Sequence, residues 1–214
     1  MNIFEIQKLV CESGKRLQNE GLVAATWGNI SYRIDSDWMA ITPSGISYDE
    51  LDPEDIVIVN IHDLSYKGNL KPSSEVSMHA AVLKEKKEVN AVIHNHSLYA
   101  SIVAAKGMEV PPYIEDMAQV IGPSIRVVEH ALTGTPELSE GVLKALDKRY
   151  AAILQNHGAV CVGRDMKEAF AVCHILEKSC QIFINIQLLG GGKALSPEYA
   201  EGFRAYYLNN YQKK

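Results

Sequence analysis

The stretch AAILQNHGAVCVG, residues 151–163, constrains the fold most: two short apolar runs separated by a polar Gln-Asn-His break. Runs this short, bounded by turn residues, read as strands, and the short break makes them hairpin partners. DIVIVNI (55–61) is rich in β-branched residues and predicts another strand, as does the buried run VNAVI (89–93). Shorter strands are expected in TWGNISYRI, in WMAITPSG ahead of a Pro-Ser-Gly turn, and at 125–128. Between them lie helical patterns. Ile3, Ile6, Leu9, Val10 and Leu17 recur at helical spacing, predicting an amphipathic helix over 2–20 that stops near Gly21. Further helices are expected at 74–86 with Ser73 or Ser74 as N-cap, and at 97–105, 136–146, 166–189 and 197–209. Strands and helices do not alternate strictly. The pattern therefore favours a mixed or antiparallel sheet with helices on both faces, in one domain spanning 1–214.

The 26 acidic and 21 basic residues give a formal charge of −5, which argues against a nucleic-acid surface. Anionic metabolites stay open, because a few backbone amides and local cations can hold a phosphate. Cys11, Cys161, Cys173 and Cys180 form no Cys-x-x-Cys pair, and buried free thiols are expected. The N-terminal stretch lacks a signal-peptide pattern, and no apolar run approaches the eighteen or so residues of a membrane span. The expected location is cytoplasmic, with no membrane partner. Gly190-Gly191-Gly192-Lys193 follows a helix rather than a strand and lacks a Ser/Thr after the lysine, so it reads as a helix stop and not a phosphate loop.

Two of the seven histidines, His94 and His96, stand two apart at the end of the 89–93 strand. Side chains on one face of a strand recur every second residue, so the pair projects together with Asn95 opposite. Two neutral imidazoles side by side are half of a metal site, and His157, at another strand end before a glycine, supplies a third ligand. Three imidazoles leave a position open on Zn²⁺ and also suit Mn²⁺ or Co²⁺. For the remaining histidines plainer roles are expected: His62 and His130 in polar loops, His174 in the core. His79 stands one helical turn after Glu75, which predicts a pair on the helix surface. In KPSSE (71–75) two serines at a helix start offer hydroxyls beside unpaired backbone N–H groups, a site suited to phosphate as well as to simple capping. Gly28-Asn29 and Ser44-Gly45 are small-residue turns with the same aptitude.

Thr26-Trp27-Gly28-Asn29, ITPSG (41–45), PSSE (72–75), HNH (94–96) and NHG (156–158), in that order, resemble the class II aldolase/adducin family, over nearly the whole chain. The resemblance implies a three-layer α/β/α sandwich around a largely antiparallel sheet. It implies His94, His96 and His157 as Zn²⁺ ligands, with Glu75 as catalytic acid/base that can also fill the open metal position. Asn29, Ser44, Gly45, Ser73 and Ser74 would line a phosphate pocket, with Gly28 shaping the turn. The implied activity is retro-aldol cleavage of a ketose 1-phosphate, of the fuculose, rhamnulose or 5-deoxypentulose type, to dihydroxyacetone phosphate and an aldehyde through an enediolate. The implied assembly is a C4 homotetramer with active sites at subunit interfaces. Fuculose-phosphate aldolases of the family carry a tyrosine in the segment matching VPPYIEDMAQVIG (110–122). Counted from Pro111, that position holds Glu115, with Tyr113 and Asp116 nearby, so Glu115 or Asp116 is the candidate acid/base on the C4 oxygen. A C-terminal tyrosine has its counterpart in Tyr206 or Tyr207, with Tyr206 the better match. Two other readings share the resemblance: a pentulose-5-phosphate 4-epimerase, and a non-catalytic adducin-like scaffold, which would be expected to lose its metal ligands.

Overall fold

A computed structural model describes residues 1–211. Among them an eight-stranded sheet runs in the order β4-β3-β2-β1-β5-β8-β7-β6. The strands are β1 (Asn29–Arg33), β2 (Trp38–Ile41), β3 (Val57–Asn60), β4 (Tyr66–Lys67), β5 (Ala91–Asn95), β6 (Arg126–Val128), β7 (Ala151–Leu154) and β8 (Gly158–Gly163). All neighbours are antiparallel except β6 and β7. Those two are parallel because the helix α5 (Pro136–Leu146) crosses between them.

The helices α2 (Val76–Glu85) and α5 pack together on one face of the sheet. On the other lie α1 (Ile3–Asn19), α3 (Leu98–Lys106) and α6 (Met166–Leu188), with the Arg16 guanidinium 3.9 Å above the Phe170 ring. Next to α6 sit α4 (Glu115–Val120) and α7 (Pro197–Asn210). This is the expected mixed sheet between two helical layers. The central strands β5, β7 and β8 are buried along their full length, so they read as continuous apolar runs rather than alternating ones.

Four local expectations change. α2 starts two residues late, with Glu75 at the cap position, because the Ser73 hydroxyl accepts the Glu75 N–H and Ser73's carbonyl accepts that of Val76. The helix α4 was not foreseen; six residues are too few to show a period. His174 is exposed on α6 and pairs with Glu20 at 3.0 Å, not buried in the core. α6 also has the length and apolarity of a membrane span, contrary to the expectation that no segment does; here its inner side packs on β5, β8 and α3. The four cysteines are free and buried, as expected.

Candidate active site

The centre of the sheet presents the histidines. In β5, His94 pairs with Asn29 of β1 on one side and with Val160 of β8 on the other. His94 and His96 project together, with Nε2 atoms 2.8 Å apart, while Asn95 points into the opposite layer toward the sulfurs of Cys161 and Cys173. His157 arrives on the β7–β8 turn, where Asn156 takes a left-handed conformation (φ 56°) that asparagine tolerates better than most residues. One ligand atom from each of the three imidazoles falls within 4.8 Å of the others.

Two glycines permit this crowding. A side chain at Gly158 would strike the Asn95 carbonyl and both the His94 and His96 rings. Gly28, at φ 80°, lies so close to the His94 carbonyl and Val23 that a Cβ would collide with them. The Tyr48 hydroxyl donates to the Gly28 carbonyl at 2.9 Å and fixes that turn; burial pushes its pKa up, so it stays a donor.

Electrostatics prepare the imidazoles for ligation. His94 is wholly buried, and its Nδ1–H donates to the Ala159 carbonyl at 3.0 Å, which leaves the Nε2 lone pair facing inward. Burial first, then the neighbouring His96 and His157, pushes its pKa well below the usual imidazole range. His96 is lowered too, by burial first and then by His157. Neutral rings are the ligating form. Glu75 is only 4% exposed, with Oε2 3.1 Å from His94 Nε2 and Oε1 3.7 Å from His157 Nε2. Oε1 is buried without a hydrogen-bond partner. A buried carboxylate oxygen left unsatisfied beside three converging imidazole nitrogens is what a divalent cation would complete, so the donor set fits one.

A cleft of about 210 Å³ opens beside the histidines, lined by Thr26, Trp27, Gly28, Asn29, Ser44, Gly45, Ser73, Ser74, Glu75, His96, Thr133 and His157. All the small-residue turns singled out from sequence meet here. The backbone N–H groups of Ser44 and Ser73 are taken by the Lys71 and Thr42 carbonyls. The hydroxyls, with the amides of Gly45 and Ser74, are what the turns can offer an anion. Thr133 escaped the sequence reading because its loop joins β6 to α5 with no motif beyond a turn. His79 is also corrected: it is fully buried beneath the site rather than on the helix surface, because α2 turns that face onto β1.

Glu115, Asp116 and Tyr206 do not join the cleft within one chain. Glu115 is exposed at the start of α4, and Asp116 accepts from Lys178 at 2.6 Å. Tyr206 is 62% exposed on α7 beside Gln119 and Phe203.

Residues 8–184 match the family model for the Class II Aldolase and Adducin N-terminal domain. The chain belongs to this family. It is 34% identical over 189 residues to 5-deoxy-D-ribulose 1-phosphate aldolase of Bacillus thuringiensis serovar kurstaki, covering 88% of each chain. It is 35% identical over 164 residues to L-fuculose phosphate aldolase of Escherichia coli, covering 77% of this chain and 75% of that one. A solved L-fuculose 1-phosphate aldolase superposes with a TM-score of 0.90 at 30% identity, covering 95% and 96% of the two chains. The class II aldolase fold is thus established for this member.

Proposed function

We propose that this class II aldolase is a metal-dependent lyase that cleaves the C3–C4 bond of a ketose 1-phosphate, releasing dihydroxyacetone phosphate and an aldehyde. One observation carries the reading: His96, His157, the buried Glu75 carboxylate and the small-residue turns line a single cleft, with His94 converging on the same point from beneath. The relatives named for 5-deoxyribulose 1-phosphate and fuculose phosphate support the substrate class, and the first makes a 5-deoxypentulose 1-phosphate the leading candidate.

His94, His96 and His157 would hold the metal, for which Zn²⁺ is our assignment, with Glu75 available as a fourth ligand. When bound, the cation acts as a Lewis acid on the substrate's carbonyl and lowers the cost of the charge that develops on cleavage. Ser44, Gly45, Ser73, Ser74 and Asn29 hold the phosphate and fix the sugar's register in the cleft. As the C4 hydroxyl gives up its proton, the C3–C4 electron pair stays with C3, and Glu75 delivers a proton to C3. Glu115, Asp116 or Tyr206 would act at the C4 oxygen from a neighbouring subunit of a C4 homotetramer. The exposure of Glu115 and Tyr206 on one chain, with Asp116 half-buried beside them, supports that placement.

The test is to offer the zinc-reconstituted protein 5-deoxyribulose 1-phosphate and fuculose 1-phosphate, and to follow dihydroxyacetone phosphate with a coupled reductase. Equal amounts of dihydroxyacetone phosphate and aldehyde are expected. A 4-epimer formed without free aldehyde would make the protein an epimerase, and no turnover of any ketose 1-phosphate would end the proposal.

A further inference from the structure

Behind the cleft, on the buried side of Glu75, four polar side chains form an unbroken line. Ser31 and His79 are fully buried, and Asn29 and Glu75 nearly so. Ser31 and Asn29 share one face of β1, and α2 lays His79 across that face one turn after Glu75. The contacts run Ser31 Oγ to His79 Nδ1 at 2.7 Å, His79 Nε2 to Asn29 Oδ1 at 2.5 Å, and Asn29 Nδ2 to Glu75 Oε2 at 2.8 Å.

The direction of every bond follows from the end that only accepts. A carboxylate oxygen has no proton to give, so Asn29 turns its NH₂ toward Glu75 and its carbonyl toward His79. His79 Nε2 must then be the donor. The ring is wholly buried, and its two nitrogens meet only the Ser31 hydroxyl and the Asn29 carboxamide, with no carboxylate on either, so it is neutral with one N–H. Its Nδ1 therefore accepts, and the Ser31 hydroxyl donates. The opposite tautomer would turn Asn29 Oδ1 against Glu75 Oε2, placing two acceptors in hydrogen-bond contact.

We infer that His79 is a positioning residue for the Glu75 acid/base. Held in its Nε2–H tautomer from the Glu75 end, with Ser31 donating to Nδ1, it keeps the Asn29 carboxamide turned so that one N–H is fixed on Glu75 Oε2. The carboxylate is thereby divided: Oε2 is anchored, and Oε1, which has no hydrogen-bond partner in the protein, is the oxygen that would serve the metal at rest and carry the proton once substrate takes the open position. The second N–H of Asn29 stays free for the phosphate side of the cleft. The inference rests on the proposed role of Glu75.

Two substitutions at one position separate positioning from packing. In His79→Gln the side-chain amide can still accept from Ser31 and donate to Asn29; His79→Met fills a similar volume with no donor. In the zinc-loaded enzyme, His79→Met should lower kcat about 10–100-fold, with KM within about twofold and zinc content unchanged, and His79→Gln should recover kcat to within about threefold. Equal kcat for the two variants would overturn the inference. Imidazole ¹⁵N NMR of the zinc-loaded wild type reads the tautomer directly: His79 should show Nε2–H with a bare Nδ1, and an Nδ1–H signal would overturn the assignment whether or not a substrate has been found. If His79→Met does not fold, Ser31→Ala replaces it. Because the tautomer follows from the Glu75 end, the Ser31→Ala spectrum should still show Nε2–H, and an Nδ1–H signal there would overturn the inference. Failure of every ketose 1-phosphate to turn over would fall on the proposed function, while the NMR result stands separately.

Discussion

The histidine cleft and the α4–α7 corner are built in opposite ways. In the cleft the three histidines sit on or at the ends of paired central strands: β5 carries His94 between β1 and β8, His157 stands on the β7–β8 turn, and Gly158 leaves room beside the rings while Gly28 leaves room against the His94 carbonyl. At the corner the candidates sit on helix surfaces. Glu115 is exposed, Asp116 is tied to a half-exposed Lys178, and Tyr206 faces outward from a helix whose inner side is firmly fixed. That inner side is anchored by the Tyr207 hydroxyl donating to Glu168 at 2.9 Å and by Arg204 donating to the Gln119 and Val120 carbonyls. One chain thus brings together all the residues proposed for the metal, the phosphate and the proton at C3. The groups proposed for the C4 oxygen stand on the outer side of α4 and α7.

The sharpest test of this contrast is Glu75→Gln. Because the carboxylate is buried within the site, cleavage should fall about 10³-fold while zinc content holds, measured by single-turnover kinetics and metal analysis. Turnover near that of the wild type would move the acid/base chemistry out of the cleft and break the comparison. Gly158→Ala should be the most damaging small change to the scaffold. Its methyl group has no room among the Asn95 carbonyl and the two rings, so a loss of about 3 kcal/mol is expected in chemical denaturation, with weakened metal binding.

At the corner, Glu168→Gln should cost about 3 kcal/mol by leaving Arg164 and Tyr207 without their buried partner. Burial raises the Glu168 pKa, but the hydrogen bonds from Arg164, with that of Tyr207, outweigh it and hold the carboxyl below its ordinary range. A carboxyl with a depressed folded pKa contributes stability that is full above its unfolded pKa, about 4.3, and lost as pH falls through the folded value. Acid titration of the wild type should therefore show a stability loss below about pH 4.3 that is smaller in the variant. The mildest change is Asp116→Asn. The ion pair with Lys178 is half exposed, so stability should shift by less than about 1 kcal/mol and turnover should hold within about twofold. A large loss of turnover there, in an assembly of unchanged size, would place Asp116 rather than Glu115 at the C4 oxygen.

Much of the cleft was legible in the residues. His94 and His96 had to share a face because strand side chains alternate, and the polar break before β8 located His157. The turns at 28–29, 44–45 and 73–75 were marked by small residues whose chemistry is local. Thr133 was not legible, since its place depends on where a loop lands after crossing from β6. The histidines at 79 and 174 show the same limit more clearly. Each lies on a helix beside apolar neighbours, yet the first is buried under the site and the second pairs with Glu20 at the surface.

The sequence by itself determined every strand but β4, most of the helices, the histidine pair and the face it shares, and the family. The strands, the helices and the histidine pair follow from short-range periodicity, which each segment carries within itself, and the family from the resemblance of five ordered motifs. Tertiary structure decided which helix face meets the sheet, and hence that His79 orders Asn29 and Glu75 while Asp116 is bound to Lys178. Those outcomes depend on which distant element covers a given face, and packing between layers has no signature in the local spacing of residues.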